Sequence, residues 1–459
     1  MEKLLNRLRS LPWKQTFHLA WPVALANLSF PMLGLVDASV LGHLDNPIFL
    51  AGVALGSSLI AFVFWGFNFL AMGLSGVTSS AYGAHNPGEI KTHLTQYAIV
   101  ASTLIFMLLL LHKPLIEMGL QFMNSSPEVE QQARIYLQIR AWGIPAMIFN
   151  SMLIGFFTGM QNTRIGLYTV SVSQIINLVL NVVLVFRFNM STNGIALGTV
   201  ISEYIGVTFI FIALLKRYKR LGGTINWQLL LNVGYYKPML ATSFNLLIRS
   251  FLLLFSVTWL NKLSAQINDQ TLAVNAILLS LFTLISNTQD ATASAAEAQT
   301  GLALGAGNRQ KLKEILITTG MIALAFSILL SLIFILLKDV IIHLMTNQTA
   351  LQNLVSHNFI WVQILPLLAV LAFWLDGVFI GARLSGDMRN SVIAGFFGFF
   401  LISHFIPQTP EAVWCSFCLT YLVRSTWLLR IFLTKIWKKI VLEHQEECSL
   451  NNSKNIHDA

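Results

Sequence analysis

Charged side chains are scarce in this sequence, because Asp, Glu, Lys and Arg make up only 11% of its 459 residues. A soluble chain of this length carries roughly 25% charged residues to form its solvated surface. Hydrophobic residues make up 55% of the chain and the mean hydropathy is +0.67. Most of the outer surface must therefore face lipid, which excludes an ordinary soluble globular protein.

Cysteine is also scarce, and the three cysteines exclude a fold held together by disulfides. Cys415 and Cys418 form a CxxC pair, but the pair lies in an apolar segment without further zinc ligands. The stretch Gly73-Leu74-Ser75-Gly76 is spelled like the GxSG of intramembrane serine proteases, yet no histidine base is paired with it. The sequence therefore predicts no enzyme, no catalytic residue, no metal site and no cofactor.

Apolar segments long enough to cross a bilayer, about 20 residues each, recur along the whole chain. They predict an all-α polytopic membrane protein with about twelve transmembrane helices. The predicted spans lie near 16–42, 49–72, 94–118, 134–158, 165–187, 193–215, 237–262, 272–300, 315–345, 357–381, 391–406 and 411–436.

The net charge of +9 does not indicate a nucleic-acid partner, because the positive residues occur in short clusters between apolar segments. Loops rich in Lys and Arg are retained in the cytoplasm, so both termini are predicted to be cytoplasmic. The clusters are Lys91, Arg164, Lys216/Arg217/Lys219/Arg220, Arg309/Lys311/Lys313, Arg383/Arg389 and Lys435/Lys438/Lys439.

The two ends of the chain differ from the apolar segments. Residues 1–15 place Lys3, Arg7 and Arg9 beside leucines, which is typical of a short interfacial helix. A signal peptide is the alternative interpretation. The polar segment 441–459 is predicted to be a cytoplasmic tail.

An internal repeat divides the spans into two halves, because a shift of 222 residues aligns identical residues along both copies. The constant offset predicts two pseudo-symmetric lobes of six helices each, 16–220 and 221–440. A three-residue insertion after the glycine pairs brings Arg164 opposite Arg389. The aligned stretches are Gly83-Ala84-His85-Asn86 with Gly305-Ala306-Gly307-Asn308, and Gly155, Phe157 and Gly159 with Gly377, Phe379 and Gly381.

An even number of spans in each half gives both copies the same orientation in the membrane. Parallel repeats of this kind form transporters that bind substrate between their lobes, whereas channels more often assemble several short chains. The repeat therefore predicts a solute transporter that works by alternating access.

Several motifs occur in a specific order along nearly the whole chain. They are WPVALANLSFPMLGLVDASVLGHL at 21–44, GAHNPGEIK at 83–91, INLVLN at 176–181, AAEAQTGLALGAGNRQKLKEI at 295–315, and the paired runs GFFTGMQNTR and GVFIGARLSGDMR. With these motifs the chain resembles the multidrug and toxic compound extrusion (MATE) transporters, specifically their DinF-like branch.

The resemblance implies two six-helix lobes forming a V in a bacterial cytoplasmic (inner) membrane. It implies export of hydrophobic, often cationic compounds, driven by inward H⁺ or Na⁺ as the coupling ion. In DinF-like relatives the cation site lies in the N-terminal lobe, and Asn181 departs from a pattern that often has aspartate. The matching positions in this chain are Asp37, Tyr136, Asn177, Asn181 and Thr199.

Asp37 is the strongest candidate from the residues themselves, since a carboxylate inside a membrane helix is costly unless it faces a cavity or a partner. Pro22 and Pro31 on the same predicted helix each remove a backbone hydrogen bond and make that helix easier to bend. Asn177 and Asn181 are spaced i, i+4, so both amides project from one helix face. A proton switch at Asp37 is the hypothesis, and a purely structural polar cluster is the alternative.

Other ionisable residues lie inside predicted spans and are secondary candidates. Glu203 follows Thr199 by one helical turn and would compensate for the neutral Asn181. In the second half the opposite charges predict internal ion pairing, with a second cation site as the alternative. These second-half residues are Arg249, Asp290, Glu297, Asp376 and Arg424.

We therefore expect a monomeric, cation-coupled antiporter of hydrophobic drugs and toxic compounds, with H⁺ favoured over Na⁺. The alternative is a flippase for a lipid-linked precursor or another amphipathic lipid. A polyanionic lipid head group would favour several arginines in the central cavity, and Arg249 and Arg424 are the deep candidates.

Overall fold

The computed structural model describes residues 11–42, 47–123, 125–405, 407 and 409–438, without the side chains of 30–39, 42, 47 and 63–65. All regular structure within these ranges is helical. The tail predicted at 441–459 and most of the interfacial helix predicted at 1–15 lie outside the described residues.

The first half of the chain contains nine α-helices in the described ranges, and a short 3-10 helix follows them at Val233–Tyr235. The α-helices are α1 (Trp13–Gly42), α2 (Pro47–Phe67), α3 (Phe69–Gly83), α4 (Pro87–Met123), α5 (Pro127–Ala141), α6 (Ile144–Gly159), α7 (Thr163–Val182), α8 (Thr192–Arg220) and α9 (Trp227–Leu231).

The second half contains eight helices in the described ranges. They are α10 (Tyr236–Ile267), α11 (Asp269–Gly305), α12 (Arg309–Leu336), α13 (Lys338–Met345), α14 (Thr349–Asn358), α15 (Ile360–Gly381), α16 (Ser385–Phe405) and α17 (Pro410–Ile431). One π-helical turn extends α7 to Arg187, and another extends α17 to Trp437.

These helices account for the twelve predicted spans once the broken ones are joined. Within the described residues, eight rods are long and apolar enough to cross a membrane, and the bent pair α5–α6 makes a ninth. The remaining three spans are α1, the broken rod α2–α3, and α16. The prediction of an all-α, multi-pass membrane protein is confirmed.

The fourth span, predicted near 134–158, is formed by two helices and not by one. The chain bends by 56° between α5 and α6. Pro145 in the first turn of α6 has no backbone N–H and cannot continue a preceding helix. At Gly143, a Cβ atom would lie 2.6 Å from Glu203 Oε2, so the break also needs a residue without a side chain.

The repeat predicted from the 222-residue offset is confirmed by matching local geometry in the two halves. Gly155 packs on the backbone of Ala71 in α3, and Gly377 packs on the backbone of Ala293 in α11. The left-handed residues also match: Gln161 has φ 61° and its counterpart Arg383 has φ 59°. The same pair of helices therefore crosses at the same glycine in each copy, as expected for small-residue contacts.

Two compact units make up the chain. One comprises His18–Leu247, and the other comprises the described residues from Ile248 onward together with those up to Phe17. The core of the second unit is built around aromatic residues such as Phe334, Phe359, Phe399 and Trp414. The predicted bounds 16–220 and 221–440 stay a prediction.

Candidate functional site

Three of the predicted site residues form a continuous hydrogen-bonded chain between α7 and α8. Asn181 Nδ2 donates to Asn177 Oδ1 at 3.0 Å, and Asn177 Nδ2 donates to Thr199 Oγ1 at 3.0 Å. The Thr199 hydroxyl in turn donates to the Ile195 carbonyl at 2.8 Å. All three side chains are buried, so the chain gives these polar groups the partners that burial requires.

The close approach of α7 to α8 at this point depends on Gly198. A Cβ atom at Gly198 would collide with Asn181 Oδ1. The spacing of the two asparagines places both amides on the face of α7 that meets α8. The local sequence thus sets both the direction of the amides and the space that they occupy.

Tyr136 reaches the same region from α5. Tyr136 is 4% exposed and belongs to a buried cluster with Ile195 and Ala196, which lie about one turn before Thr199 on α8. Its hydroxyl accepts a hydrogen bond from Ser57 Oγ at 3.1 Å. Tyr136 and Thr199 are therefore close in the fold without a direct hydrogen bond between them among those described.

The Asp37 and Pro31 side chains lie outside the described residues, while Pro22 is buried within α1. Val40 and Leu41, which follow Asp37 by about one helical turn in the sequence, belong to the same buried cluster as Tyr136. The described part of α1 thus packs in one cluster with α5, which carries Tyr136, and with α8, which carries Thr199.

Glu203 pairs with Arg140, which the sequence analysis did not single out. Arg140 Nη1 and Nη2 donate to the two Glu203 carboxylate oxygens at 2.7 and 2.9 Å. Arg140 is 5% exposed, and an arginine inside a predicted span is itself a signal that a partner is needed. The carboxylate of Glu203 is engaged by this pair, and its compensation for the neutral Asn181 stays a prediction.

In the second unit the predicted internal ion pairing is confirmed. Arg249 and Arg424 both donate to Asp376 Oδ2, at 2.7 and 2.6 Å. Asp290 is half-buried and interacts electrostatically with all three groups. Glu297 is buried, and its carbonyl lies against Gly381. The carboxylate of Asp376 on α15 thus binds two cations, Arg249 on α10 and Arg424 on α17. These bonds connect the three helices.

Within the described ranges, no group of three or more His, Cys, Asp or Glu side chains could hold a metal ion. The site residues of the first unit whose side chains are described carry neutral groups. These groups are the amides of Asn177 and Asn181 and the hydroxyls of Tyr136 and Thr199. A neutral set of this kind can donate to or accept from a neighbouring carboxyl group in either protonation state.

Comparison with known proteins identifies the family. The MatE family model matches residues 22–183 and 241–406. The chain is 34% identical over 433 residues to the DNA damage-inducible protein F of Escherichia coli K12, covering 93% of this chain and 92% of that one. It is 23% identical over 404 residues to a probable multidrug resistance protein NorM of Listeria monocytogenes, covering 81% and 88% of the two chains.

Solved structures agree on the fold. A crystal structure of MATE in the bent conformation matches with a TM-score of 0.84 at 16% identity, covering 95% of this chain and 98% of that chain. The family is one of transporters and not of enzymes. The family model and the Escherichia coli relative show that the chain belongs to the MatE family of multidrug and toxic compound efflux transporters, as its motifs predicted.

Proposed function

We propose that this chain is an H⁺-coupled antiporter that exports hydrophobic, often cationic drugs by alternating access. The observation that carries the proposal is the hydrogen-bonded chain from Asn181 through Asn177 to Thr199. One of its two helices, α8, packs against α5, which carries Tyr136. Asp37 supplies the titrating carboxyl group of this site.

The choice of H⁺ over Na⁺ follows from the charges available. Na⁺ is a hard cation, and carboxylate oxygens hold such ions most strongly. Asp37 is the one carboxylate in the five-residue site, since Asn181 is neutral and Glu203 is bonded to Arg140. One proton per cycle is the simplest stoichiometry at this site.

The proposed substrates follow from the same charge and from the relatives. The name of the Listeria monocytogenes relative refers to multidrug resistance. A carboxylate that is free of its proton attracts an organic cation, and apolar walls retain the rest of such a molecule. Proton binding at Asp37 removes that attraction and favours release.

The flippase alternative is less well supported by the second unit. It calls for arginines free to bind a polyanionic head group. Arg249 and Arg424 are both bonded to Asp376 and are 8% and 1% exposed. This pairing favours drug efflux over transport of a polyanionic lipid.

The proposed location is a bacterial cytoplasmic membrane, with a monomeric chain and both termini in the cytoplasm. The four positive residues Lys216, Arg217, Lys219 and Arg220 end α8. Such clusters resist translocation across the membrane.

Transport by purified protein in lipid vesicles tests this function. An imposed pH gradient is expected to drive efflux of hydrophobic organic cations, and an imposed Na⁺ gradient without a pH gradient is expected to drive none. Translocation of a fluorescent lipid-linked sugar phosphate, together with no cation efflux under either gradient, would favour the flippase instead.

A further inference from the structure

The connecting segment 221–235, which joins the end of α8 to the start of α10, has an unusual composition. None of its residues is charged, and apolar residues such as Trp227, Leu231 and Val233 recur along it. Segments that connect helices in water are normally polar. A segment of this composition is therefore not expected to be surrounded by water.

The apolar side chains at the end of this segment are exposed. The exposed fraction is 65% for Trp227, 84% for Leu231 and 82% for Val233, whereas Leu230 is buried. Trp227 and Leu231 are four residues apart in α9, so they lie on one face of that helix. Large apolar groups exposed close together mark a surface that another partner covers.

The exposure belongs to a structured segment, because its first part is bonded to α4. The Asn226 backbone N–H donates to Thr92 Oγ1 at 3.2 Å, and Lys91 Nζ donates to the Gly223 carbonyl at 3.1 Å. Gly223 has φ +65°, and a Cβ atom there would lie 2.8 Å from the Gly88 nitrogen. The fold thus holds the segment in place with its apolar side chains outward.

The bond to α4 also gives the level of the segment relative to the bilayer. Thr92 lies two residues before the apolar part of α4, which begins near residue 94. Asn226 is therefore about 3 Å from that point along the helix axis. The interfacial layer on each side of the hydrocarbon core is about 5–8 Å thick. The segment thus lies at the level of the lipid head groups.

The charge around the segment is positive. No Asp or Glu occurs in the sequence between Glu203 and Asp269. Exposed cations flank the segment at both ends, namely Lys216, Lys219, Arg220 and Lys237. Anionic head groups attract Lys and Arg that are clustered next to a span. The surroundings of the segment are therefore complementary to an anionic lipid surface.

The internal repeat supports the same partner. The offset of 222 residues carries 5–13 onto 227–235, so the segment precedes α10 as the predicted interfacial helix 1–15 precedes α1. Each half of the sequence therefore has an apolar stretch with neighbouring cations directly before its first span. That combination is typical of segments that lie in the membrane interface.

We propose that the connecting segment is a membrane anchor that binds an anionic phospholipid surface. Trp227, Leu231 and Val233 insert among the lipids of the leaflet that the segment faces, and the flanking cations bind the head groups. Tryptophan is suited to this layer, because its ring is apolar and its N–H is polar. This proposal does not depend on the coupling function of Asp37.

Spin labels on single cysteines test the anchor in the purified full-length protein, with its three native cysteines replaced by alanine. The protein is placed in nanodiscs of equal parts phosphatidylcholine and phosphatidylglycerol. Oxygen collides with labels in lipid, and the neutral nickel complex of ethylenediaminediacetate collides with labels in water. The test positions are Leu231→Cys and Val233→Cys. The references on α12 are Gln310→Cys at its exposed polar start and Leu329→Cys within the span.

Both test positions are expected to be intermediate between the two references. Nickel collisions at Leu231→Cys and Val233→Cys should be several-fold rarer than at Gln310→Cys, and oxygen collisions should be more frequent. Leu329→Cys should be protected from nickel still further, because the interface is shallower than the hydrocarbon core.

The lipid charge is tested at Leu231→Cys. Discs of phosphatidylcholine alone are expected to raise its nickel collisions by about twofold or more. Lys216→Gln/Lys219→Gln in the mixed discs should have the same effect. Lys311→Gln/Lys313→Gln, which removes two cations from the second copy, is the matched control and should have none. Unfolding midpoints within a few degrees of the parent protein establish that each variant is folded.

Three results would overturn the proposal. Nickel collisions as frequent at both test positions as at Gln310→Cys would show that the segment faces water. Protection from both nickel and oxygen would show that protein covers it, and dipolar broadening between labels would identify that protein as a second copy. Equal nickel collisions at Leu231→Cys in neutral and mixed discs would exclude binding of anionic head groups. The comparison of discs needs no charge variant, so it decides the matter even if such a variant fails to fold.

Discussion

Arg140 and Glu203 form a two-bond ion pair that joins α5 to α8 one helical turn beyond Tyr136 and Thr199. Each member of the pair follows a residue of the proposed coupling site by four positions on the same helix. The pair therefore fixes the distance between the helix faces that carry Tyr136 and Thr199. We propose that both residues are positioning residues for that proposed site.

Single substitutions in this pair are expected to be more harmful than the removal of both charges. Glu203→Gln or Arg140→Met alone leaves one charge buried without its partner, which costs about 3–5 kcal/mol in the free energy of unfolding. The double variant Arg140→Met/Glu203→Leu is expected to lose less than the sum of the single losses. Thermal unfolding in detergent measures this difference.

Lys435→Met is the matched control, because its ion pair with Asp387 is at the surface. Its effect is expected to be below about 1 kcal/mol. Additive losses in the double variant of Arg140 and Glu203 would contradict a functional ion pair between them.

Gly377 is expected to tolerate no side chain. A Cβ atom there would collide with the Ala293 carbonyl, and backbone cannot rotate away as a side chain can. Gly377→Ala should therefore lower the free energy of unfolding by about 1–3 kcal/mol. Gly398 in α16 has open space around its Cα, so Gly398→Ala should leave the unfolding midpoint unchanged or raise it. Equal changes in the unfolding midpoint for the two variants would contradict the close crossing of α15 and α11 at Gly377.

Asp376 is expected to matter more for stability than either arginine bonded to it. Asp376→Asn removes the carboxylate charge to which both buried guanidinium groups are bonded, whereas Arg249→Met leaves Arg424 still bonded to Asp376. Unfolding midpoints should therefore fall further for Asp376→Asn than for Arg249→Met. The reverse order would show that Asp376 is not the centre of this cluster.

The sequence was sufficient to predict the elements that depend on local pattern. Hydropathy located the spans, and the 222-residue offset located matching glycines such as Gly155 and Gly377. The family resemblance named Asn177, Asn181 and Thr199, whose spacing within two neighbouring helices brings them together.

Partners that are distant along the chain could not be predicted in the same way. Glu203 finds its cation 63 residues away, at Arg140, and no local pattern links the two. The bend at Gly143 is not predicted by hydropathy, because a span assignment reports apolar content and not helix breaks. Pro145 and the close contact at Gly143 produce the bend. The helices are longer than the predicted spans, because the polar residues at their ends are also helical. For example, α4 begins at Pro87, whereas hydropathy predicts a span from about residue 94.

The proposed topology has a direct test at the end of α8. In a background with the three native cysteines replaced by alanine, Lys219→Cys should not react with a membrane-impermeant maleimide added to intact cells. It should react after the membrane is permeabilised, because the positive cluster holds this end in the cytoplasm. Strong labelling of intact cells would show that this end of α8 faces the outside and that the proposed orientation is wrong.

Asn181→Ala is expected to weaken pH-driven efflux only in part. The change removes the amide that donates to Asn177, but it leaves the proposed titrating group in place. Initial efflux rates in vesicles measure the effect, and Asn150→Ala, a change in α6 outside the five-residue site, serves as a control. Loss of efflux as complete as that caused by removing the Asp37 carboxylate would assign Asn181 a larger role.

The most direct test of proton coupling is pH-gradient-driven efflux by Asp37→Asn in vesicles, with the amount of protein matched to the parent. Asparagine keeps the shape of the protonated carboxyl group but cannot release a proton. Efflux is therefore expected to fall to the level of empty vesicles, while binding of the organic cation in the absence of a gradient is weakened but measurable. Full gradient-driven efflux by Asp37→Asn would contradict coupling at this residue.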